Sequence, residues 1–170
     1  MKKTIILLLL CLSATGAYAG DFIVNIEGGV ITGPCIIDAG STNQTINFGK
    51  MAIYNIDHVG DGSSWQYFSI KLRNCPADIV TATATFTGQA SATDPTVFVN
   101  SGTASGLGIQ LAQRDFASVM ISNGSRMELP VKPDRTAEFD VGARVVRIST
   151  ERGVNTGTIK GAVQFTITYQ

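Results

Sequence analysis

The body of this chain reads as an all-β, antiparallel sandwich. Three observations lead there. Apolar residues recur with period two along nearly every regular stretch. Turn residues separate those stretches at short intervals. No segment longer than a turn or two carries the 3.6-residue period of a helix. Short strands at this spacing, with no internal repeat and no Pro- or Ser-rich linker, point to one domain of immunoglobulin-like type.

The strands follow in order. Phe68, Ile70 and Leu72 alternate with Ser69, Lys71 and Arg73. Val80, Ala82, Ala84 and Phe86 alternate with threonines at 81, 83, 85 and 87. Leu107, Ile109 and Leu111 form a third set, and Phe139, Val141, Ala143 and Val145 a fourth. Val163, Phe165, Ile167 and Tyr169 alternate with Gln164, Thr166 and Thr168 to close the chain. Each pattern places one face on a core and one toward water. Gly60-Asp61-Gly62, Asp94-Pro95, Ser122-Asn123-Gly124 and Lys132-Pro133-Asp134 supply the turns.

The first nineteen residues are set apart from this body. Lys2 and Lys3 precede an apolar run from Thr4 to Leu12, and Ala17-Tyr18-Ala19 is an A-x-A cleavage site. That is a secretory signal peptide over residues 1–19. The run is too short to span a bilayer, and no second apolar stretch follows, so no membrane span is expected. Cys11 lies within the run and is removed with it. Cleavage leaves 151 residues (170 less 19), with 11 basic against 13 acidic side chains. Cys35 and Cys75 are then the remaining cysteines, and an even pair in an exported chain reads as a disulfide. It would close a loop of 41 residues, for which chain entropy gives roughly 4 kcal/mol.

Composition excludes several functions. The full chain has 13 Lys plus Arg, 13 Asp plus Glu and 15% charged residues, so no basic excess exists to neutralise phosphates. Nucleic acid is not an expected partner. There is one histidine, His58, and neither CxxC nor HExxH, so no metal or cofactor is expected and no enzyme. His58 lies in a polar stretch with Asp57 and Asp61 and reads as solvated. Trp65 precedes a strand; a sugar-stacking role is possible in principle, but packing at the core's edge is the preferred reading. Asn43-Gln44-Thr45 and Asn123-Gly124-Ser125 match a glycosylation sequon and read as ordinary turn or strand residues. Asp134, Glu138 and Asp140 share no motif and read as solvated.

The two ends carry the functional information. Residues 21–31 read DFIVNIEGGVI, with Phe22, Val24, Ile26, Gly28 and Val30 on one face. Three large apolar residues at a free terminus need a cover. The pattern alone fits either a first strand of the same sandwich or a strand offered elsewhere. At the other end, TGTIKGAVQFTITYQ stops inside a strong strand pattern, without a turn or polar tail. Such a sandwich exposes an apolar groove beside its last strand, unless its own N-terminal strand fills it.

With those ends go Pro34-Cys35, Ser64-Trp65, Ile70-Lys71-Leu72-Arg73-Asn74-Cys75-Pro76, Phe86-Thr87-Gly88 and Ala104-Ser105-Gly106-Leu107-Gly108-Ile109-Gln110-Leu111. Gly157 lies fourteenth from the end, counting Gln170 as first. In this order, and behind a signal peptide, these pieces resemble the chaperone–usher pathway pilins of the type 1 fimbrial subunit family over essentially the whole mature chain. The short tip-adaptor pilins are the nearer likeness, through the stretch from Asp21 to Cys35. The resemblance implies an incomplete immunoglobulin-like sandwich over residues 33–170, lacking its final strand and completed by a donor strand from another subunit. It implies a donor extension over residues 20–32, and a groove flanked by Gly157, Ile159, Val163, Phe165, Ile167 and Tyr169. It further implies a periplasmic chaperone, an outer-membrane usher, neighbouring pilins and a tip adhesin as partners. The expected product is a cell-surface fimbrium reached through the periplasm. Within the class, the rival is the major shaft pilin. A sugar-binding adhesin is the less favoured reading, because only the short extension precedes Cys35.

Overall fold

The structure, a computed structural model, describes residues 33–52, 56–148 and 153–170. The leader assigned to residues 1–19 and the extension assigned to residues 20–32, including Phe22, Val24, Ile26, Gly28 and Val30, lie outside the described residues. Strands β1 (Ile36–Ile37), β2 (Gln66–Arg73), β3 (Thr81–Gly88), β4 (Phe98–Val99), β5 (Leu107–Gln113), β6 (Phe116–Ile121), β7 (Arg126–Pro130), β8 (Ala137–Arg147) and β9 (Val163–Tyr169) are joined by loops and one helical turn, α1 (Ala39–Thr42). All the pairings are antiparallel.

The strands form two sheets. The larger runs β1-β2-β8-β5-β4, with β6 also on β5. β4 pairs with Gly108 and Ile109, while β6 pairs from Leu111 to Gln113, so the two share one edge of β5 end to end. The smaller sheet runs β7-β3-β9. Their facing sides form the core, where Ile70, Phe139 and Val141 are fully buried opposite Ala82, Ala84 and Phe86, while Val145 is buried in a second cluster with Ile56, Ala104 and Leu107. The period-two residues of β2, β3, β5 and β8 are therefore the ones that face inward. Val80 is an exception at 64% exposed. It lies ahead of β3, where its N–H bonds the Gln170 carbonyl at 2.8 Å.

The Cys35–Cys75 disulfide is formed and buried, joining the start of β1 to the turn after β2. Asn74 enters that turn at φ 52°, a left-handed conformation that asparagine tolerates better than most residues.

The outer face of the large sheet is more structured than the sequence suggested. Glu138 meets Lys71 at 3.2 Å, while Asp140 accepts from Ser69 Oγ at 2.5 Å and lies 3.8 Å from Arg114. These carboxylates are thus cross-strand partners rather than freely solvated groups. Arg144 stacks over Trp65 at 4.8 Å and Arg114 over Tyr67 at 5.1 Å. Both aromatic rings lie against Gly142, where an added Cβ would approach each within 3.0 Å. Trp65 is half-buried under an arginine, which leaves little free ring face for a sugar.

Candidate functional site: the groove beside the last strand

β9 has one strand neighbour among the described residues, β3, in a register from Ala82↔Tyr169 to Gly88↔Val163. Its side chains alternate between half-buried at Val163, Phe165, Ile167 and Tyr169 and exposed at Gln164, Thr166 and Thr168. The inward residues of β8 at Phe139, Val141 and Val145 are by contrast fully buried. Among the described residues, the core under β9 is therefore covered by a paired strand on one side only.

The backbone follows the same alternation. Gln170 and Thr81 exchange both hydrogen bonds, each at 2.9 Å. In an antiparallel ladder, residues alternate between bonded and non-bonded pairs. Thr168, Thr166 and Gln164 therefore direct N–H and C=O at β3. Val163, Phe165, Ile167 and Tyr169 direct theirs away from it. Consistent with this, Phe86, opposite Phe165, bonds the 124–125 turn through both its N–H and its C=O. The four residues with inward side chains thus present a row of backbone donors and acceptors along the open edge.

The second wall is the segment 43–48, which leaves the helical turn at the extended Asn43 and in which Ile46 and Phe48 are half-buried. It is held to β2 by side chains. Ser41 Oγ accepts from Lys71 N–H at 3.0 Å, and Gln44 Nε2 donates to the Ser69 carbonyl at 2.7 Å. Between the walls lies a cleft of about 660 Å³ floored by Phe68, Ile109, Leu111 and Ala143. A second cleft of about 620 Å³ lies between residues 45–51 and 155–159, floored by Ile56, Ala104 and Leu107. The charged residues lining the two are Lys160 and Lys50, both exposed.

Of the residues assigned to this site, Val163, Phe165, Ile167 and Tyr169 lie along one edge. Phe165 and Val163 line the first cleft. Ile159 borders both clefts, and Gly157 borders the second. β9 begins at Val163, and ahead of it Thr158 and Lys160 bond to the 100–104 loop. Gly157 is explained by close approach. An added Cβ there would run into the Ala104 and Thr103 backbone. Tyr169 Oη donates to the Cys35 carbonyl at 3.4 Å, and desolvation raises its phenol above the ordinary tyrosine value.

Sequence reasoning missed Ile46 and Phe48, whose wall carries no strand pairing to mark it. It also missed Gly161, which sits so close over Ile109 that a Cβ would collide with the Ile109 Cδ1. His58 is solvent-exposed, and its N–H donates to Asp61 Oδ2 at 2.8 Å. That bond holds the Asp61 carboxyl below its ordinary value. The pair closes a turn far in character from a buried catalytic couple. Among the described residues, no group of three metal-ligating side chains comes together.

Comparison with known proteins agrees with this geometry. A family model described as "Fimbrial protein" matches residues 24–170. Protein FimG of Escherichia coli K12 is 28% identical over 162 residues, covering 95% of this chain and 92% of that protein. The S-fimbrial adhesin protein SfaS of Escherichia coli O6:K15:H31 is 30% identical over 156 residues, covering 92% and 90%. The crystal structure of the P pilus rod subunit PapA shares the fold, with a TM-score of 0.68 at 23% identity over 81% of this chain and all of that one. The chain therefore belongs to the fimbrial protein family, as a structural subunit rather than an enzyme.

Proposed function

We propose that this subunit polymerises by strand exchange, with residues 157–169 accepting a β-strand and residues 20–32 donating one to the groove of a neighbouring subunit. The observation that carries this reading is the edge of β9, which sets a row of backbone groups without a strand partner among the described residues beside an apolar cleft. An entering strand pairs with that row while its alternate side chains fill the cleft. Phe22, Val24, Ile26 and Val30 supply such side chains. Burial at about 2 kcal/mol each gives roughly 8 kcal/mol. Gly28 calls for a shallow position in the acceptor.

A periplasmic chaperone lends the first strand, because an uncovered edge invites aggregation. An outer-membrane usher then brings subunits together for the exchange, and a tip adhesin lies further along the fibre. Within the pilus we place the subunit as a tip adaptor. The stretch from Asp21 to Cys35, with Gly28 and Pro34-Cys35, supports that position. The test is mass spectrometry of sheared, purified pili. An adaptor is present at a few copies per fibre. A chain that dominates the fibre mass is the shaft pilin instead, and that result overturns the adaptor assignment.

A further inference from the structure

Residues 157–161 lead into β9 without being part of it, yet their backbone keeps the same phase. The Thr158 carbonyl accepts from Ala104 N–H at 3.1 Å, and Thr158 N–H donates to Thr103 Oγ1 at 2.9 Å. Thr103 N–H donates in return to Thr158 Oγ1 at 3.1 Å. Two residues on, the Lys160 carbonyl accepts from Ser101 N–H at 2.8 Å and from Ser101 Oγ at 3.1 Å. Lys160 N–H donates to Asn100 Oδ1 at 2.9 Å. Asn100 makes four bonds in all. Its Oδ1 also takes Gly102 N–H, and its Nδ2 reaches the Ala104 and Thr158 carbonyls.

Thr158 and Lys160 thus direct both backbone groups at the 100–104 loop. Gln164, Thr166 and Thr168 direct theirs at β3. In an extended chain the residues between point the other way. Ile159 therefore presents its N–H and C=O to the groove, in step with Val163, Phe165, Ile167 and Tyr169. Its half-buried side chain, between exposed Thr158 and Lys160, fits that phase. Glycines at 102 and 157 let the two backbones approach closely enough.

We propose that the side chains of Asn100, Ser101 and Thr103 stand in for a neighbouring strand and lengthen the accepting edge from β9 back to Ile159, which makes Asn100 a positioning residue for the incoming strand. The inference rests on the strand-accepting reading above. The lengthened edge spans Ile159 to Tyr169, 11 residues, the same count as Asp21 to Ile31. A β9 edge alone, at 7 residues, leaves part of such a strand unpaired.

The test uses the mature subunit refolded with synthetic peptides of residues 21–31, 21–28 and 24–31. Asn100→Ala is expected to weaken binding of the full peptide by about tenfold, the scale of one or two lost hydrogen bonds. It should weaken just one of the shortened peptides equally and leave the other within about twofold, because that one does not reach Ile159. Thr103→Val should reproduce the pattern, and Thr103→Ser, which keeps the hydroxyl, should restore wild-type binding. This pair carries the test if Asn100→Ala does not fold. An equal loss on all three peptides, or no loss on any, overturns the inference while leaving strand acceptance standing. Failure of the wild type to bind the full peptide overturns acceptance of a strand of this sequence by the groove, on which the inference rests.

Discussion

Phe165→Asp separates the fold of the subunit from the use of its groove. Phe165 sits opposite Phe86 on β9 and lines the cleft beside Leu111 and Ala143. It is only half-buried, so a carboxylate at this position can still reach water while the groove is open. Strand insertion closes that route. Neutralising an aspartate of ordinary pKa near 3.9 at pH 7 costs about 1.36 kcal/mol for each of roughly three pH units, or about 4 kcal/mol. Loss of the ring's apolar contact adds about 2 kcal/mol. Together these weaken binding of a donor peptide roughly 10⁴-fold. The direction with pH follows from the carboxyl's pKa being raised in the complex. The electrostatic part grows with pH above about 4 and vanishes below it, leaving the contact loss of about 2 kcal/mol. Titration of the variant and the wild type with a fluorescent peptide of residues 21–31, at pH 7 and again near pH 4, measures both parts. A penalty that does not change with pH would show that insertion does not desolvate residue 165, and the groove would not be the binding site.

Three further outcomes follow from the same geometry. Alkylation of the mature protein without reduction should label no cysteine, and reduction should lower stability by roughly 4 kcal/mol for the 41-residue loop; two labelled thiols in the untreated protein contradict the pairing. Gly157→Val should destabilise the subunit by about 1–3 kcal/mol, because its side chain meets the Thr103–Ala104 backbone, and an unchanged melting temperature would contradict that packing. Ile26→Asp should leave the subunit's fold and chaperone capture intact while blocking fibre assembly, and Gly28→Leu should slow exchange by bulk alone; if Ile26→Asp unfolds the isolated subunit, the extension belongs to its own sandwich.

The inward faces of β2, β3, β8 and β9 were legible because threonines, other polar residues and charges alternate with apolar residues, whereas β5 is buried on both faces from Leu107 to Ala112. β6 and β7 were not legible. Phe116 and Val119 are large apolar residues left half or more exposed, and Arg126–Pro130 is too short to display a period. One wall of the groove could be read from the alternation of Val163, Phe165, Ile167 and Tyr169 with polar residues. Its second wall could not, because residues 43–48 are tied to β2 by the Ser41 and Gln44 side chains rather than by a ladder. Gly157 stood out by its distance from the end of the chain, but its reason lies in the Thr103–Ala104 backbone, 53 or more positions earlier in sequence. Contacts of that separation leave no local mark on a sequence.

Strand acceptance is tested most directly by residue-resolved amide hydrogen exchange along β9, in the refolded mature subunit with and without a peptide of residues 21–31. The N–H groups of Gln164, Thr166 and Thr168 face β3 and should be protected in both states. Those of Val163, Phe165, Ile167 and Tyr169 face the groove and should exchange freely without the peptide and become protected with it. Protection of all seven before the peptide is added, or no change at the four odd-numbered positions after it, would contradict the account.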